Sequence, residues 1–214
     1  MFKRCLVIGV ATTCLLGPAR AQQELDIKSG ASVVSTLTMG HGDHAVIALH
    51  GGSGTDRNFF FQARGGKLGQ KLARAGFRVI APTWAGQSGA GFSEVAAAIA
   101  HAQATGARKI SLIGHSRGGE LVASYALAHP DGTFDTVIQL ASSDDQALAM
   151  TKTKKLFAFS KYDKWPQWQA RAYARSAEPK RIIEIDGGGH AVGAMIAEKP
   201  DLVQDLLAVL AEQP

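Results

Sequence analysis

Cysteine is almost absent. The 214 residues contain two, Cys5 and Cys14, and both fall in an N-terminal segment that reads as a leader. Lys3 and Arg4 precede a short apolar run, Cys5 to Leu16, followed by Gly17, Pro18 and the small-residue pattern Ala19-Arg20-Ala21. This is the layout of a secretory signal peptide, with cleavage expected after Ala21. A lipoprotein reading would use Cys14, but Ala11-Thr12-Thr13 is a poor lead-in. The expected mature chain, residues 22–214, then has no cysteine, which excludes disulfides and cysteine metal sites. An exported protein of this kind, periplasmic or secreted, has to rely on its core. Long apolar runs are lacking too: the leader's run falls short of the roughly 20 residues a helical span needs. No stable membrane insertion is expected once the leader is cleaved.

A strong charge of one sign is also missing. The formal net charge of +5 includes Lys3, Arg4 and Arg20, so removal of the leader leaves 20 basic against 18 acidic residues, or +2. Aromatic residues make up only 7% of the chain, and none interleave with a Lys/Arg cluster. Nucleic acid is therefore not an expected partner. The densest basic run, Lys152-Thr153-Lys154-Lys155, reads as a solvated strand entry.

What the chain does contain is alternation. Apolar runs of strand length lie at Val33 to Met39, Ala45 to Leu49, Arg78 to Pro82, Lys109 to Ile113, Thr136 to Leu140, Lys155 to Phe159 and Arg181 to Ile185. Segments of helical composition separate or follow them, at Asp56 to Ala75, Phe92 to Thr105, Arg117 to His129, Pro166 to Ala177 and Pro200 to Ala211. Several strands are unbroken apolar stretches, as expected when both faces of a sheet are covered. The expected fold class is α/β, a mostly parallel, doubly covered sheet of about seven strands in one domain spanning 22–214.

One motif stands out. Gly114-His115-Ser116-Arg117-Gly118-Gly119 follows a strand directly and opens a helix directly. A serine on so sharp a turn is presented at the sheet edge, and small residues two before and two after it let the backbone pass closely. Gly51-Gly52-Ser53-Gly54-Thr55 and Gly86-Gln87-Ser88-Gly89-Ala90 also set a serine among glycines, but neither opens onto a strong helix and both read as loops. Gly65-Gly66-Lys67-Leu68 lacks the spacing of a phosphate-binding loop. His41 and His44 flank a turn without a third ligand, so no metal site is expected.

With His50-Gly51-Gly52-Ser53-Gly54 after an early strand, the elbow at Ser116, and Gly187-Gly188-Gly189-His190 after the last strand, the chain resembles the α/β-hydrolase family over nearly all of its mature length. The form of the elbow is similar to that of several esterases, including chlorophyllases. The resemblance implies a small member that needs no cofactor and has no cap domain, since only Ala141 to Lys154 separates the two strands between which relatives often insert a lid.

It further implies a triad in the order Ser, Asp, His. Ser116 is the expected nucleophile and His190 the base, carried back over the strand ends by three glycines. His50 belongs to an early loop, His115 lies inside the turn, and His101 and His129 sit on or beside helices. Family position selects Asp163 as the acid, with Asp144 and Asp145, after the preceding strand, as its rivals. The oxyanion donors are expected to be the backbone N–H groups of Arg117 and Gly52, with Ser53 the alternative to Gly52. The Arg117 side chain has two readings, steering a polar substrate or pairing with a surface carboxylate.

Trp84 and Trp165 are the expected substrate-binding residues, while Phe59, Phe60 and Phe61 read more readily as core. The expected activity is hydrolysis of a carboxylic ester through an acyl-enzyme, the substrate being a small molecule or presented on a surface. A thioesterase or peptidase with the same triad, and a non-catalytic binding module, are the alternatives. Oligomeric state is not written in the sequence.

Overall fold

The structure, a computed structural model, describes residues 21–212 apart from Ser53; the leader expected at 1–21 therefore lies outside the described residues except for Ala21. The strands are β1 (Gln23–Ser29), β2 (Ser32–Met39), β3 (His44–Leu49), β4 (Arg78–Pro82), β5 (Lys109–His115), β6 (Thr136–Leu140), β7 (Lys154–Ser160) and β8 (Lys180–Ile185). The helices are α1 (Leu68–Arg74), α2 (Phe92–Ala104), α3 (Arg117–Leu127), α4 (Pro166–Arg175), α5 (Val192–Glu198) and α6 (Leu202–Ala211). They surround one sheet of order β1-β2-β4-β3-β5-β6-β7-β8, antiparallel across β1, β2 and β4 and parallel from β4 to β8.

The unbroken apolar strands have a direct explanation in the core. Along β3, Ala45, Ile47 and Leu49 face one apolar cluster, whereas Val46 and Ala48 face the other. Leu112 and Ile113 of β5 divide in the same way, as do Val137 and Ile138 of β6. Period-two alternation thus persists, with both faces apolar. Helices α2, α3 and α4 cover the cluster that Ala45, Ile47 and Leu49 face, and α1, α5 and α6 the one that Val46 and Ala48 face.

Four expectations need correction. The sheet has eight strands, because the polar stretch Gln23–Ser29 pairs along β2 as an edge strand. Only Leu25 and Ile27 mark its inner face, against Val34 and Ala97. The continuous helix expected over Asp56 to Ala75 is instead two 3₁₀ turns at Phe59–Phe61 and Ala63–Gly65 followed by α1. Gly66 and Lys67 both take the left-handed conformation (φ 65° and 51°), which an α-helix cannot propagate. Phe59, Phe60 and Phe61 are all buried. Helix α5 was not anticipated at all. Finally, the basic run is solvated only at Lys152: Lys154 is buried against Asp135 at 3.1 Å, and buried Lys155 donates to the Met150 carbonyl. No cap domain is present among the described residues.

Candidate active site

The turn at Ser116 is built by close backbone contact. A Cβ on Gly114 would lie 2.0 Å from the Gly118 carbonyl oxygen, and one on Gly118 would lie 2.2 Å from that of Leu49. With both positions clear, β5 passes straight into α3 and Ser116 takes φ 53°, ψ −119°. A non-glycine residue held there stores on the order of 1–3 kcal/mol, which the surrounding contacts must offset. The Ser116 N–H donates to the Leu140 carbonyl at 2.9 Å, and Gly119 N–H donates to the Ser116 carbonyl at 2.8 Å. Ser116 Oγ makes no hydrogen bond among the described residues.

Asp163 and His190 are brought together. His190 Nδ1–H donates to Asp163 Oδ2 at 2.7 Å, the carboxylate side chain being 6% exposed and the imidazole 35%. Burial alone would raise the Asp163 pKa. The hydrogen bonds from His190 and from the Lys164 N–H outweigh it and hold the carboxyl below the ordinary value. This bond leaves His190 Nε2 as the basic nitrogen, with no partner among the described residues. Neither rival carboxylate touches His190: Asp144 accepts from Ser142 Oγ and Gln139 Nε2, and Asp145 pairs with Arg171 and Arg175. Burial foremost, with the neighbouring charges of Glu120 and Asp145, raises Asp144 to about 6.

On the other side of the elbow lies the loop after β3. Gly51 faces Ser116, since a Cβ there would be 3.4 Å from the Ser116 Cβ, whereas Gly52 faces the Arg117 side chain at 3.0 Å. Ser53, the alternative to Gly52, lies outside the described residues. The Arg117 N–H begins α3 with no acceptor among the described residues, as first-turn amides do. Its side chain donates to Ser88 Oγ at 3.0 Å and meets no carboxylate among the described residues, so the surface-pair reading does not apply.

Two histidines set aside in the sequence carry this architecture. His50 is neutral and fully used: Nδ1–H donates to the Gly51 carbonyl at 2.9 Å, and Nε2 accepts from the Trp84 N–H at 3.3 Å. Burial lowers its pKa. His115 is buried, stacks on Phe59 at 4.7 Å, and is pushed down to about 3, mainly by burial. Its Nε2–H donates to the His190 carbonyl at 2.9 Å, and its Nδ1 has no partner among the described residues. The sequence signal for His115 was its place beside Ser116; its long-range bond had none. His44, of the discarded metal pair, turns inward to Ser111 Oγ at 2.8 Å.

The aromatic expectations divide. Trp165 stands edge-on to His190 at 5.9 Å and stacks on Trp168 at 5.6 Å, forming a half-buried shelf beside the imidazole. Trp84 is 6% exposed, and its Nε1–H is taken by the His50 carbonyl. It lines a small cleft, about 50 Å³, shared with Phe92, Arg117 and Glu120. A wider depression of about 370 Å³ runs past Gly54, Phe59 and Arg64.

Comparison with known proteins agrees with this architecture. The model of the alpha/beta hydrolase fold family matches residues 44–185. No curated protein matches the chain in sequence. Among solved structures, a predicted CIB-like hydrolase from Thermoplasma acidophilum is similar with a TM-score of 0.66 and 22% identity, over 89% of this chain and 98% of that one. An arylesterase gives 0.72 and 14% identity over 91% and 85%. The fluorophosphonate-binding serine hydrolase F of Staphylococcus aureus gives 0.71 and 14% identity over 92% and 100%. The match spans well over half the chain and takes in β3, the elbow and the strands that lead to Asp163 and His190: this protein belongs to the α/β-hydrolase fold family.

Proposed function

We propose that the protein is a serine hydrolase acting on carboxylic esters through an acyl-enzyme, with Ser116 as nucleophile, His190 as general base and acid, and Asp163 as its orienter. The observation that carries this reading is the 2.7 Å bond from His190 to Asp163, on loops beside a serine held in a strained turn. Asp163 fixes Nδ1 as protonated, so Nε2 is free to accept the Ser116 proton as Oγ attacks the ester carbonyl. The resulting oxyanion takes hydrogen bonds from the N–H groups of Arg117 and Gly52, each worth about 10²- to 10³-fold in rate. Collapse expels the alcohol, which takes the proton from His190. Water, deprotonated by the same imidazole, then attacks the acyl-serine, releasing the carboxylic acid and restoring Ser116.

The narrow cleft at Trp84 suits a modest acyl group, and the open shelf at Trp165 suits either a small molecule or an ester presented on a surface. Residues 1–21 support export to the periplasm or beyond. The arylesterase and the serine hydrolase among the fold neighbours support the reaction class.

Intact mass after exposure to a fluorophosphonate tests the proposal. Stoichiometric labelling, abolished in Ser116→Ala and His190→Ala, is the expected result. Folded wild-type protein that does not label would overturn the proposal; once labelling is established, a panel of esters, thioesters and peptides separates the substrate classes.

A further inference from the structure

The glycine run before His190 has a reason beyond flexibility. Glu198, the last residue of α5, reaches back so that its carboxylate occupies the hollow of the Gly187–Gly189 loop. Oε1 accepts the N–H groups of Gly188 (3.1 Å) and Gly189 (2.9 Å). Oε2 lies 2.9 Å from Ser160 Oγ, the final residue of β7, whose hydroxyl also reaches the Gly189 carbonyl at 2.9 Å. A Cβ on Gly187 would fall 2.2 Å from the Glu198 carboxyl carbon, and one on Gly189 would fall 3.0 Å from both carboxylate oxygens. These two glycines therefore leave room for this side chain.

We infer that Glu198 is a positioning residue for the catalytic histidine. One carboxylate ties the loop that carries His190 to the end of β7, three residues before Asp163. The ends of β7 and β8 are laced further by Tyr162 N–H to the Gly187 carbonyl and Lys161 N–H to the Ile185 carbonyl, both at 2.9 Å, and Asp163 N–H closes its own turn on the Ser160 carbonyl at 3.2 Å. Fixing Ser160 and Gly189 to one rigid group fixes the separation of acid and base. An acidic side chain at a helix C-terminus opposes the helix dipole, so the position is a poor one for α5 itself. The three hydrogen-bond donors around the carboxylate account for it instead.

The inference rests on the proposed triad, and its test separates the two. Glutamine keeps the oxygen that accepts from Gly188 and Gly189, and its amide can donate to Ser160 Oγ while that hydroxyl donates to Gly189. Alanine keeps nothing. With an activated ester, E198A is expected to lower kcat about 10- to 100-fold, the scale of a misplacement near 1 Å, with KM within about twofold. Its fluorophosphonate labelling rate should fall in parallel, and E198Q should stay within about threefold of wild type. Should E198A fail to fold, E198D, which keeps the charge but is one methylene short, replaces it and should be slower than E198Q. A folded E198A with kcat within about twofold of wild type overturns the role, as does E198Q falling as far as E198A, or E198D outperforming E198Q. Wild type that does not label overturns the triad itself; wild type that labels beside an unaffected E198A overturns only Glu198.

Discussion

His115 donates its Nε2–H to the carbonyl oxygen of His190 at 2.9 Å, so the residue next to Ser116 props the loop that bears His190. His115→Leu removes the donor and should lower ester turnover about tenfold, with His115→Gln, which retains an N–H near the same place, closer to wild type. The same residue predicts a pH dependence. With its folded pKa pushed down to about 3 by burial and an unfolded value near 6.5, the unfolded chain binds the extra proton in between. Its contribution is present above about pH 6.5 and is lost as the pH falls toward 3. Thermal melts across that window should show a shallower decline for His115→Gln than for wild type.

Asp163 and Asp144 exchange no roles. Asp163→Asn removes the charge that holds the His190 tautomer, and kcat should fall about 10²- to 10⁴-fold while the melting temperature stays near wild type. Asp144→Asn should keep turnover within about twofold. Steady-state kinetics with both variants decides, and the reverse ranking would move the triad acid to the β6 loop.

Asp144 has its own consequence for stability. Its carboxyl, raised to about 6 chiefly by burial, binds a proton more tightly in the folded than in the unfolded chain. Stability is therefore fullest below about pH 4 for this group and declines as the pH rises through 6, the opposite sign to His115. Asparagine can accept the same bonds from Ser142 and Gln139 without ionising. Asp144→Asn should raise the melting temperature at pH 8, by an amount corresponding to about 1–3 kcal/mol, and the gain should vanish near pH 4.

The close backbone packing of the elbow makes Gly118 intolerant. Alanine there would drive its methyl into the Leu49 and His50 carbonyls at 2.2 and 2.4 Å. Gly118→Ala should lower stability by more than about 3 kcal/mol, against about 1–2 kcal/mol for Gly106→Ala, whose positive φ strains alanine but which has open space around it. Denaturant midpoints of the two variants check the contrast.

The parts legible in the sequence were the local ones. Lys109 to Leu127 announces strand, elbow and helix through apolar run, glycine placement and helical spacing, all within one short stretch. Strand β1 was illegible because an edge strand keeps one face in water, leaving Leu25 and Ile27 as its only signal. The Asp56–Ala75 segment misled because buried phenylalanines in tight 3₁₀ turns have the composition of a helix. Asp163 could be preferred to Asp144 only by family position, since the loop that brings His190 to it is set by the order of β7 and β8 in the sheet. Glu198 had no local mark at all: its partners lie 9, 10 and 38 residues away.

Arg117 divides one position into two separable parts. In the proposed mechanism its amide serves the chemistry, an atom that every residue except proline supplies, while its side chain leans away past Gly52 to Ser88 at the rim of the Trp84 cleft. Substrate preference at this rim is thus free to drift, or to be redirected in a variant library, without disturbing the machinery a single bond away. Position 117 is accordingly the first at which to randomise the chain when seeking new ester selectivity.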